Sequence, residues 1–203
     1  MGAGTSLPGR NPLADCPPGG QLRLAVNVSA YQLLSPDFTA TVAAVLLHTD
    51  MDPKLLTLEM TESVFIDDSE RALVVLNELK KLGVMLALDD FGTGYASRVY
   101  LKRFPVDILK IDRGFVADLG SDKASHVIVA AVVDMAHALD LTVVAEGVET
   151  ARQLNVITEA GCDAAQGYYF ARPMSADDLD TLMSQRATDG NLCLPVAASP
   201  AAG

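Results

Sequence analysis

The sequence predicts an α/β fold: an incomplete (β/α) TIM-type barrel with six mainly parallel strands, where a closed barrel has eight. Apolar segments of strand length alternate with helical segments along the body of the chain. The strand segments are apolar on both faces, which is typical of a parallel sheet covered by helices. Polar residues follow successive strands at their carboxyl ends. This favours a barrel over a doubly wound sheet, which has a single switch-point crevice.

The first two predicted strands are separated by one helix. Leu22–Val28 is the first strand and Leu55–Met60 is the second. Between them, Ser35 is the expected N-cap of a helix, with Pro36 at its first position, that runs to about Leu47. This strand-helix-strand order indicates that the two strands lie parallel.

Four more strands and four more helices complete the predicted body. The strands are Met85–Asp89, Val106–Ile111, Leu141–Ala145 and Asp163–Phe170. The helices span residues 72–82 behind a capping box at 67–70, then 125–139, 150–160 and 175–183 behind a Ser175 cap. Gly83 and Gly161 are expected to end the helices that precede them.

Flanking segments of different composition enclose this body. Residues 1–20 are rich in Gly and Pro and lack hydrophobic periodicity, which predicts a disordered leader. The tail, residues 187–203, is rich in Ala and Pro and is also predicted to be disordered. The folded domain is therefore expected within residues 21–186.

Composition excludes several classes of protein. The chain has 203 residues, and none of its apolar runs approaches the roughly 20 residues of a membrane span. Its net charge of −11 argues against DNA binding through a basic patch. Because no secretory signal is visible at the N-terminus, we expect a cytoplasmic protein without membrane contact. Cys16, Cys162 and Cys193 show no metal-ligand spacing and are expected to be inert.

The residues at the strand ends form a candidate metal site. Its oxygen ligands would be Asn27, Glu59, Asp89, Asp90 and Glu146. Such a set suits Mg²⁺ or Mn²⁺ better than zinc, and paired ions can promote an in-line phosphoryl displacement. Lys110, at the end of the fourth strand, would orient a water molecule or balance charge. Each acid alone could equally cap a helix or form a salt bridge.

The roles of three further polar residues are less specific. Gln166 lies at the end of the sixth strand, and it could contact a ligand or close the barrel end through hydrogen bonds. Glu62 and Glu149 follow acids of the candidate metal site and could be loop anchors. The sequence alone leaves these alternatives open.

Six segments resemble the EAL family of cyclic di-GMP phosphodiesterases. They are NVS at 27–29, LEMTES at 58–63, LDDFGTGYAS at 88–97, LKRFPVDILKID at 101–112, VVAEGVET at 143–150 and AAQGYYFARPM at 164–174. The resemblance implies a modified β/α barrel that opens cyclic di-GMP to linear pGpG with two Mg²⁺ or Mn²⁺ ions. It also implies a dimer surface. Because two of the eight strands are missing, we expect a homodimer or a partner domain to cover the open barrel edges.

The same resemblance assigns roles to individual residues. Asn27, Glu59 and Asp89 would hold one ion, and Asp89, Asp90 and Glu146 would hold the other. The implied catalytic residues are Lys110, which would position the attacking water, together with Glu146 and Asp90. Gln166 and Asp112 would contact the substrate. The residues that would couple the metals to the dimer surface are Glu62, Phe91, Gly92, Thr93 and Gly94.

The sequence departs from the family pattern in two places. The Glu-Ala-Leu segment and the Arg that usually follows it do not occur in these 203 residues, so the first ion lacks one carboxylate. We therefore expect weak or absent hydrolysis by the isolated chain. A degenerate receptor or interaction module is the main alternative, and an enolase-like lyase is a more distant one. Ala96 also replaces the usual Ser of the loop.

Overall fold

One six-stranded parallel sheet organises the structure, a computed structural model that describes residues 23–64, 69–92, 98–119, 123–175, 177–179 and 181. Each strand pairs with the next one in sequence order. The strands are β1 (Leu24–Asn27), β2 (Leu56–Thr61), β3 (Met85–Phe91), β4 (Ile108–Ile111), β5 (Thr142–Ala145) and β6 (Ala164–Ala165). This half-barrel confirms the predicted incomplete (β/α) barrel.

Helices connect the strands and cover one face of the sheet. They are α1 (Ala30–Leu33), α2 (Phe38–Thr49), α3 (Ser69–Leu82), α4 (Arg98–Arg103), α5 (Arg113–Asp118), α6 (Lys123–His137) and α7 (Ala151–Glu159). A 3₁₀ turn, Pro53–Leu55, precedes β2. In α3, Ala72, Leu76 and Leu79 form a fully buried stripe at helical spacing. None of the helices in the described residues is both long and apolar enough to cross a membrane.

The two faces of the sheet differ in chemistry because side chains alternate along each strand. Leu86, Leu88 and Leu109 are fully buried and belong to the main apolar core. On the opposite face, Glu59 of β2 reaches Lys110 of β4. The inner face of the half-barrel therefore carries the charged residues.

The start of α2 differs from the prediction. Asp37, and not Ser35, is the N-cap of this helix, which begins at Phe38. A separate helix, α1, comes first, since Ser29 and Gln32 form a capping box directly after β1. The chain then turns through Ser35 and Pro36 before α2 begins, which explains why a proline signal did not mark the helix start.

The sixth strand is much shorter than predicted. Asp163–Phe170 was expected to be a strand, but only Ala164–Ala165 pairs with β5. Gly167 has a φ of +157°, and its carbonyl oxygen accepts hydrogen bonds from the backbone N–H groups of Phe170 and Ala171. The chain therefore leaves the sheet in a turn, a conformation that strand periodicity does not reveal.

The predicted helix ends are confirmed where the structure describes them. Gly83 and Gly161 adopt positive φ values of +93° and +88° after α3 and α7. Ser175 Oγ accepts a hydrogen bond from the backbone N–H of Asp178 (3.2 Å), as expected of a helix cap. The predicted leader and tail lie outside the described residues, as do the first two residues of the predicted capping box at 67–70 and also Thr93, Gly94 and Ala96.

Strand β1 forms one edge of the sheet. Within the described part of the chain it pairs with β2 alone, and its residues are exposed. Leu24 and Val26 are 52% and 40% exposed, whereas their register partners on β2, Leu56 and Leu58, are buried. This edge leaves apolar surface uncovered.

Candidate active site

Lys110 lies at the centre of the charged inner face. Its side chain is buried, and its Nζ atom contacts Glu146 Oε1 (2.6 Å), Glu59 Oε2 (2.7 Å) and Asp89 Oδ1 (3.2 Å). The four residues come from β2, β3, β4 and the residue after β5. Four adjacent strands thus deliver one ammonium and three carboxylates to the same point.

The carboxylates keep Lys110 charged. Burial disfavours the ammonium form, but the hydrogen bonds and charges of Glu146 and Glu59 outweigh burial and raise the pKa of Lys110. A lysine with a raised pKa cannot serve as a general base near neutral pH. Lys110 is therefore a fixed positive charge and a hydrogen-bond donor.

A backbone bend brings Asp89 and Asp90 to the same site. The pairing of β3 with β4 shifts register between Leu88 and Phe91, and Asp90 adopts a φ of +55°. The N–H of Asp90 donates to Asp89 Oδ1 (3.0 Å). Asp tolerates this left-handed conformation better than most residues do. The bend thus occurs at the second acid itself, before the glycines of the loop.

Asp89, Asp90 and Glu146 form a cluster with the geometry of a cation site. One carboxylate oxygen from each lies within 4.8 Å of the others. Burial, followed by the nearby charges of Asp89 and Asp112, raises the pKa of Asp90. Burial also raises the pKa of Glu146, although Lys110 opposes that effect. A hard divalent cation fits this set, since it prefers oxygen ligands and would neutralise the crowded charge.

Asn27 is placed beside the cluster by the sheet register. It is the partner of Glu59 across the β1–β2 pair, so both side chains leave the same face of the sheet. Its side chain is exposed, because β1 is the edge strand. The position agrees with a ligand role for Asn27, but the described contacts do not include one between its amide and the acids.

Asp112 has a local role that the sequence did not reveal. Its Oδ1 atom accepts a hydrogen bond from the N–H of Gly114 (2.8 Å) and caps α5. It also shares a hydrogen bond with Asp90, which contributes to the raised pKa of Asp90. Asp112 therefore links the metal-site candidates to the helix that follows β4.

Glu62 anchors the loop that follows β3. It is buried, and its Oε1 atom accepts a hydrogen bond from the N–H of Gly92 (3.1 Å). Gly92 has a φ of +101°, and a Cβ atom there would lie 2.6 Å from Cε2 of Phe115. Phe91 is buried beside it. This contact supports the loop-anchor interpretation of Glu62 and adds Phe115, which sequence reasoning missed because α5 is too short to show periodicity.

Gln166 lies next to Glu146 through backbone hydrogen bonds. Its N–H donates to the carbonyl of Ala145 (2.8 Å), and its own carbonyl accepts from Val148 (3.0 Å). These bonds fix the backbone on both sides of Glu146, at Ala145 and at Val148. Gln166 is an exposed residue, so its side chain is accessible to a ligand.

The thiol of Cys162 lies apart from this site. Burial raises its pKa to about 12, so the reactive thiolate is scarce near neutral pH. This agrees with the expected inertness of Cys162; Cys16 and Cys193 lie outside the described residues.

The family model of the EAL domain matches residues 11–173, most of the chain. The chain belongs to the EAL domain family. The family assignment agrees with the strand-end cluster of acids and with the half-barrel that carries it. It confirms the resemblance seen in the sequence motifs.

Curated relatives of this EAL domain include two enzymes. The chain is 44% identical over 156 residues to the bifunctional diguanylate cyclase/cyclic di-GMP phosphodiesterase MucR of Pseudomonas aeruginosa, covering 77% of this chain and 23% of MucR. It is 42% identical over 158 residues to the cyclic di-GMP phosphodiesterase PdeR of Escherichia coli, covering 78% and 24% of the two chains. The chain thus spans about a quarter of the length of these relatives.

Solved EAL structures share the fold. The MucR phosphodiesterase in complex with cyclic di-GMP matches with a TM-score of 0.74 at 44% identity, covering 77% of this chain and 64% of that one. Klebsiella pneumoniae BlrP1, in a complex with manganese and cyclic di-GMP, matches with a TM-score of 0.71 at 35% identity, covering 80% and 42%. A calcium complex of BlrP1 with the same nucleotide matches equally well.

Proposed function

We propose that this chain is a cyclic di-GMP phosphodiesterase domain that hydrolyses cyclic di-GMP to linear pGpG with two Mg²⁺ or Mn²⁺ ions. The observation that carries the proposal is the convergence of Glu59, Asp89 and Glu146 on Lys110, with Asp90 alongside. The likeness to MucR and PdeR supports it, since both are named as enzymes of this activity. The all-oxygen donor set also supports the proposal, because hard divalent cations prefer oxygen ligands.

The ligand roles in this proposal are those that the family resemblance implies, and the cluster of Asp89, Asp90 and Glu146 supports part of them. Asn27, Glu59 and Asp89 would hold one ion, while Asp89, Asp90 and Glu146 would hold the other. The paired ions would supply an activated water molecule and stabilise the leaving oxygen of an in-line displacement. In that displacement the water oxygen forms a bond to phosphorus as one ester P–O bond breaks, which leaves linear pGpG.

Lys110 has a role that depends on how many donors remain available. An ammonium has three N–H groups, and three carboxylates surround the Nζ atom of Lys110. If Glu59, Asp89 and Glu146 held cations, their oxygens would no longer occupy those N–H groups. Lys110 would then be able to donate to the attacking water or to a phosphate oxygen, and its fixed charge would oppose the negative charge that develops.

Substrate contacts and assembly complete the proposal. Gln166, exposed beside Glu146, would contact the substrate, while Asp112 would act mainly by holding Asp90. Glu62 and the loop from Phe91 would connect the site to a homodimer surface or a partner domain. We also propose that residues 21–186 form the domain and that it acts in the cytoplasm.

A cyclic di-GMP receptor without hydrolysis is the second candidate. Leu24 and Val26, which are exposed on β1, favour it. An uncovered sheet edge would hold the metal-ligating side chains less firmly, and this would impair metal-dependent hydrolysis. Within these 203 residues no Glu-Ala-Leu segment supplies a further carboxylate, so the isolated chain would bind the nucleotide more readily than cleave it.

One experiment separates the two candidates. Cyclic di-GMP is titrated onto the chain with Mn²⁺, with Ca²⁺ and with EDTA, and pGpG is measured by chromatography at high protein concentration. The phosphodiesterase proposal expects slow pGpG formation with Mn²⁺ that disappears in EDTA and in the Glu146→Gln variant. Tight binding without any pGpG would instead establish the receptor.

A further inference from the structure

Strand β1 has a partner strand on only one side within the described part of the chain. The N–H of Val28, directly after β1, donates to the carbonyl of Glu59 on β2 (2.8 Å). Alternate residues of a parallel strand turn their backbone groups to the same neighbour, so the even-numbered residues of β1 bond to β2. The backbone groups of Arg23, Ala25 and Asn27 therefore point to the open edge of the sheet.

The outer, helix-covered face of this edge is apolar. Leu24 and Val26 are 52% and 40% exposed, although their register partners on β2 are buried. Val45 of α2 is 52% exposed as well. It lies about 240° around the helix from Thr39, whose hydroxyl donates to Glu78 of α3 (3.3 Å). Val45 is therefore on the flank of α2 that faces away from α3, on the same side as the open edge.

The inner face of the same edge carries charges of both signs. Because side chains alternate along a strand, Arg23 shares the inner face with Asn27, which is the register partner of Glu59. Arg23 is exposed, and the ion pairs among the described residues do not include it. Glu59 belongs to the cluster of four acids around a single ammonium. The edge thus has a positive charge at one end and excess negative charge at the other.

The edge is complementary to a second copy of itself in one antiparallel register. Pairing Ala25 with Ala25 of the second copy about a two-fold axis places Leu24 opposite Val26 on the outer face. The same register places Arg23 opposite Asn27 on the inner face, beside the acid cluster of the other copy. The outward backbone groups of Arg23, Ala25 and Asn27 then all lie in hydrogen-bonded pairs.

We propose that β1 binds the β1 strand of a second copy of this chain, so that two six-stranded sheets join edge to edge into one continuous sheet. The self-complementarity of the edge favours a second copy over an unrelated strand, because apolar side chains and opposite charges match in the same register. Such an interface is isologous and closes at the dimer. The pairing does not rest on the proposed function, whereas any effect of Arg23 on metal binding does.

The oligomeric state of the full 203-residue chain tests the interface. Sedimentation velocity over a concentration series is expected to show a reversible dimer. Val26→Lys is expected to raise the dimer Kd at least about 10-fold, since two apolar cross-strand pairs are lost. Arg23→Glu is expected to weaken the dimer, whereas Arg23→Lys keeps the charge and most of the affinity. The matched control is Leu47→Lys, since Leu47 is 86% exposed and lies on the opposite side of α2 from Val45.

A backbone variant tests the hydrogen bonds at the two-fold axis. Ala25→Pro removes the N–H group that would bond across the axis, but it leaves the bonds between β1 and β2 in place. This variant is expected to be monomeric and folded. Far-UV circular dichroism of all the variants checks that the fold is retained.

Disulfide formation tests the register. In chains with Cys16→Ser and Cys193→Ser, a mixture of the Leu24→Cys and Val26→Cys variants is expected to form a mixed disulfide. Residues opposite each other in a non-hydrogen-bonded pair have Cα atoms about 4.5 Å apart, within the range of a disulfide. Either variant alone is expected to link far less, because its two cysteines are offset by roughly 7 Å along the strands. The remaining thiol, Cys162, is buried.

The outcomes separate this interface from other surfaces and from the proposed function. A chain that stays monomeric at every concentration would overturn the proposal, as would a dimer that withstands both Val26→Lys and Ala25→Pro. Dimerisation only after deletion of residues 1–20 would overturn it too, since that segment would then occupy the edge. A dimer that forms no pGpG would support the interface while contradicting the phosphodiesterase, and a monomer that forms pGpG would do the reverse.

Discussion

Lys110 is the residue on which the charge balance of the metal-free site depends. Glu59, Asp89 and Glu146 are only 12%, 14% and 18% exposed at their side chains, so water screens their mutual repulsion poorly. Three carboxylates share one ammonium, and Asp90 adds a fourth acid nearby. The cluster therefore has an excess of negative charge that a bound cation would neutralise.

Replacing Lys110 by Met is expected to destabilise the metal-free chain by about 3 kcal/mol, because removal of one partner leaves buried charges uncompensated. Saturating Mn²⁺ is expected to restore much of that loss, since a cation bound to the same carboxylates replaces the ammonium. Urea unfolding in EDTA and in Mn²⁺ measures both effects.

Lys80→Met is the matched control for this substitution. Lys80 pairs with Asp107 at 2.7 Å, away from the acid cluster, and the two side chains are 29% and 24% exposed. A smaller loss, unchanged by Mn²⁺, is expected. If Mn²⁺ rescued both variants equally, the ion would not be acting at the Lys110 cluster.

The raised pKa values of Asp90 and Glu146 predict a pH effect in the metal-free chain. Burial raises both in the folded state, so the folded chain binds more protons than the unfolded chain just above the ordinary carboxyl range near pH 4. Stability contributed by these two groups therefore falls as pH rises through that window. The Glu146→Gln variant cannot titrate there, so its stability relative to the unaltered chain should improve with rising pH.

Urea unfolding in EDTA across mildly acidic to neutral pH tests the Glu146 effect. The difference between variant and unaltered chain is the informative quantity, since carboxylates remote from the cluster contribute equally to both. A difference that stays constant with pH would show that Glu146 titrates normally in the folded state. With saturating Mn²⁺ the trend should reverse, because the ion binds the deprotonated carboxylate.

At the scale of elements, the turn after β6 determines what lies next to Glu146. Gly167 packs against the backbone of Val148, and the adjoining Tyr169 N–H donates to the Val148 carbonyl (2.9 Å). A two-residue strand has little pairing of its own. The position of the final strand thus depends on this glycine contact as much as on the β ladder.

Gly167→Ala is expected to destabilise the chain by more than about 2 kcal/mol, since the added Cβ would meet backbone atoms of Val148 at 2.2–2.8 Å. Gly161→Ala is the control: it has a positive φ of +88°, but a Cβ there meets only Val133, at 3.6 Å. Its cost should be limited to the left-handed conformation, about 1–2 kcal/mol. Thermal unfolding of both variants compares them, and equal losses would mean that the Val148 contact relaxes easily.

The elements also show what the sequence could and could not predict. Strands β2 to β5 and helix α3 have strong apolar periodicity, and their positions were predicted to within a few residues. The positions of the acids at the strand ends were predicted as well, because the end of a predicted strand determines which edge of the sheet its last side chain occupies. The bend at Asp90, the cap made by Asp112 and the turn at Gly167 depend on single contacts between distant segments, which periodicity does not contain.

At the scale of the whole molecule, the half-barrel joins a well-packed centre to an open edge. Lys110, Leu88 and Leu109 lie in the buried middle strands, while Leu24 and Val26 of β1 are partly exposed. Asn27, one proposed ligand, stands on that exposed strand. The proposed ligands of the first ion therefore include one on the exposed edge, whereas those proposed for the second ion come from strands further inside the sheet.

A chimaera tests whether the open edge limits activity. The part of the MucR EAL domain that contains its Glu-Ala-Leu segment is joined ahead of residue 23, so that a strand covers β1 and supplies the absent carboxylate. Hydrolysis of cyclic di-GMP with Mn²⁺ is expected to rise by at least about 10- to 100-fold over the isolated chain. Product formation at saturating substrate measures the change, with melting temperature as the report on packing.

The control chimaera carries Gln in place of the Glu of Glu-Ala-Leu. It covers β1 equally well but supplies no carboxylate, so it should gain thermal stability without gaining the full activity. Activity that rises equally in both chimaeras would assign the defect to the uncovered Leu24 and Val26. Activity that stays low in both, with stability restored, would contradict a missing ligand as the cause and favour the receptor.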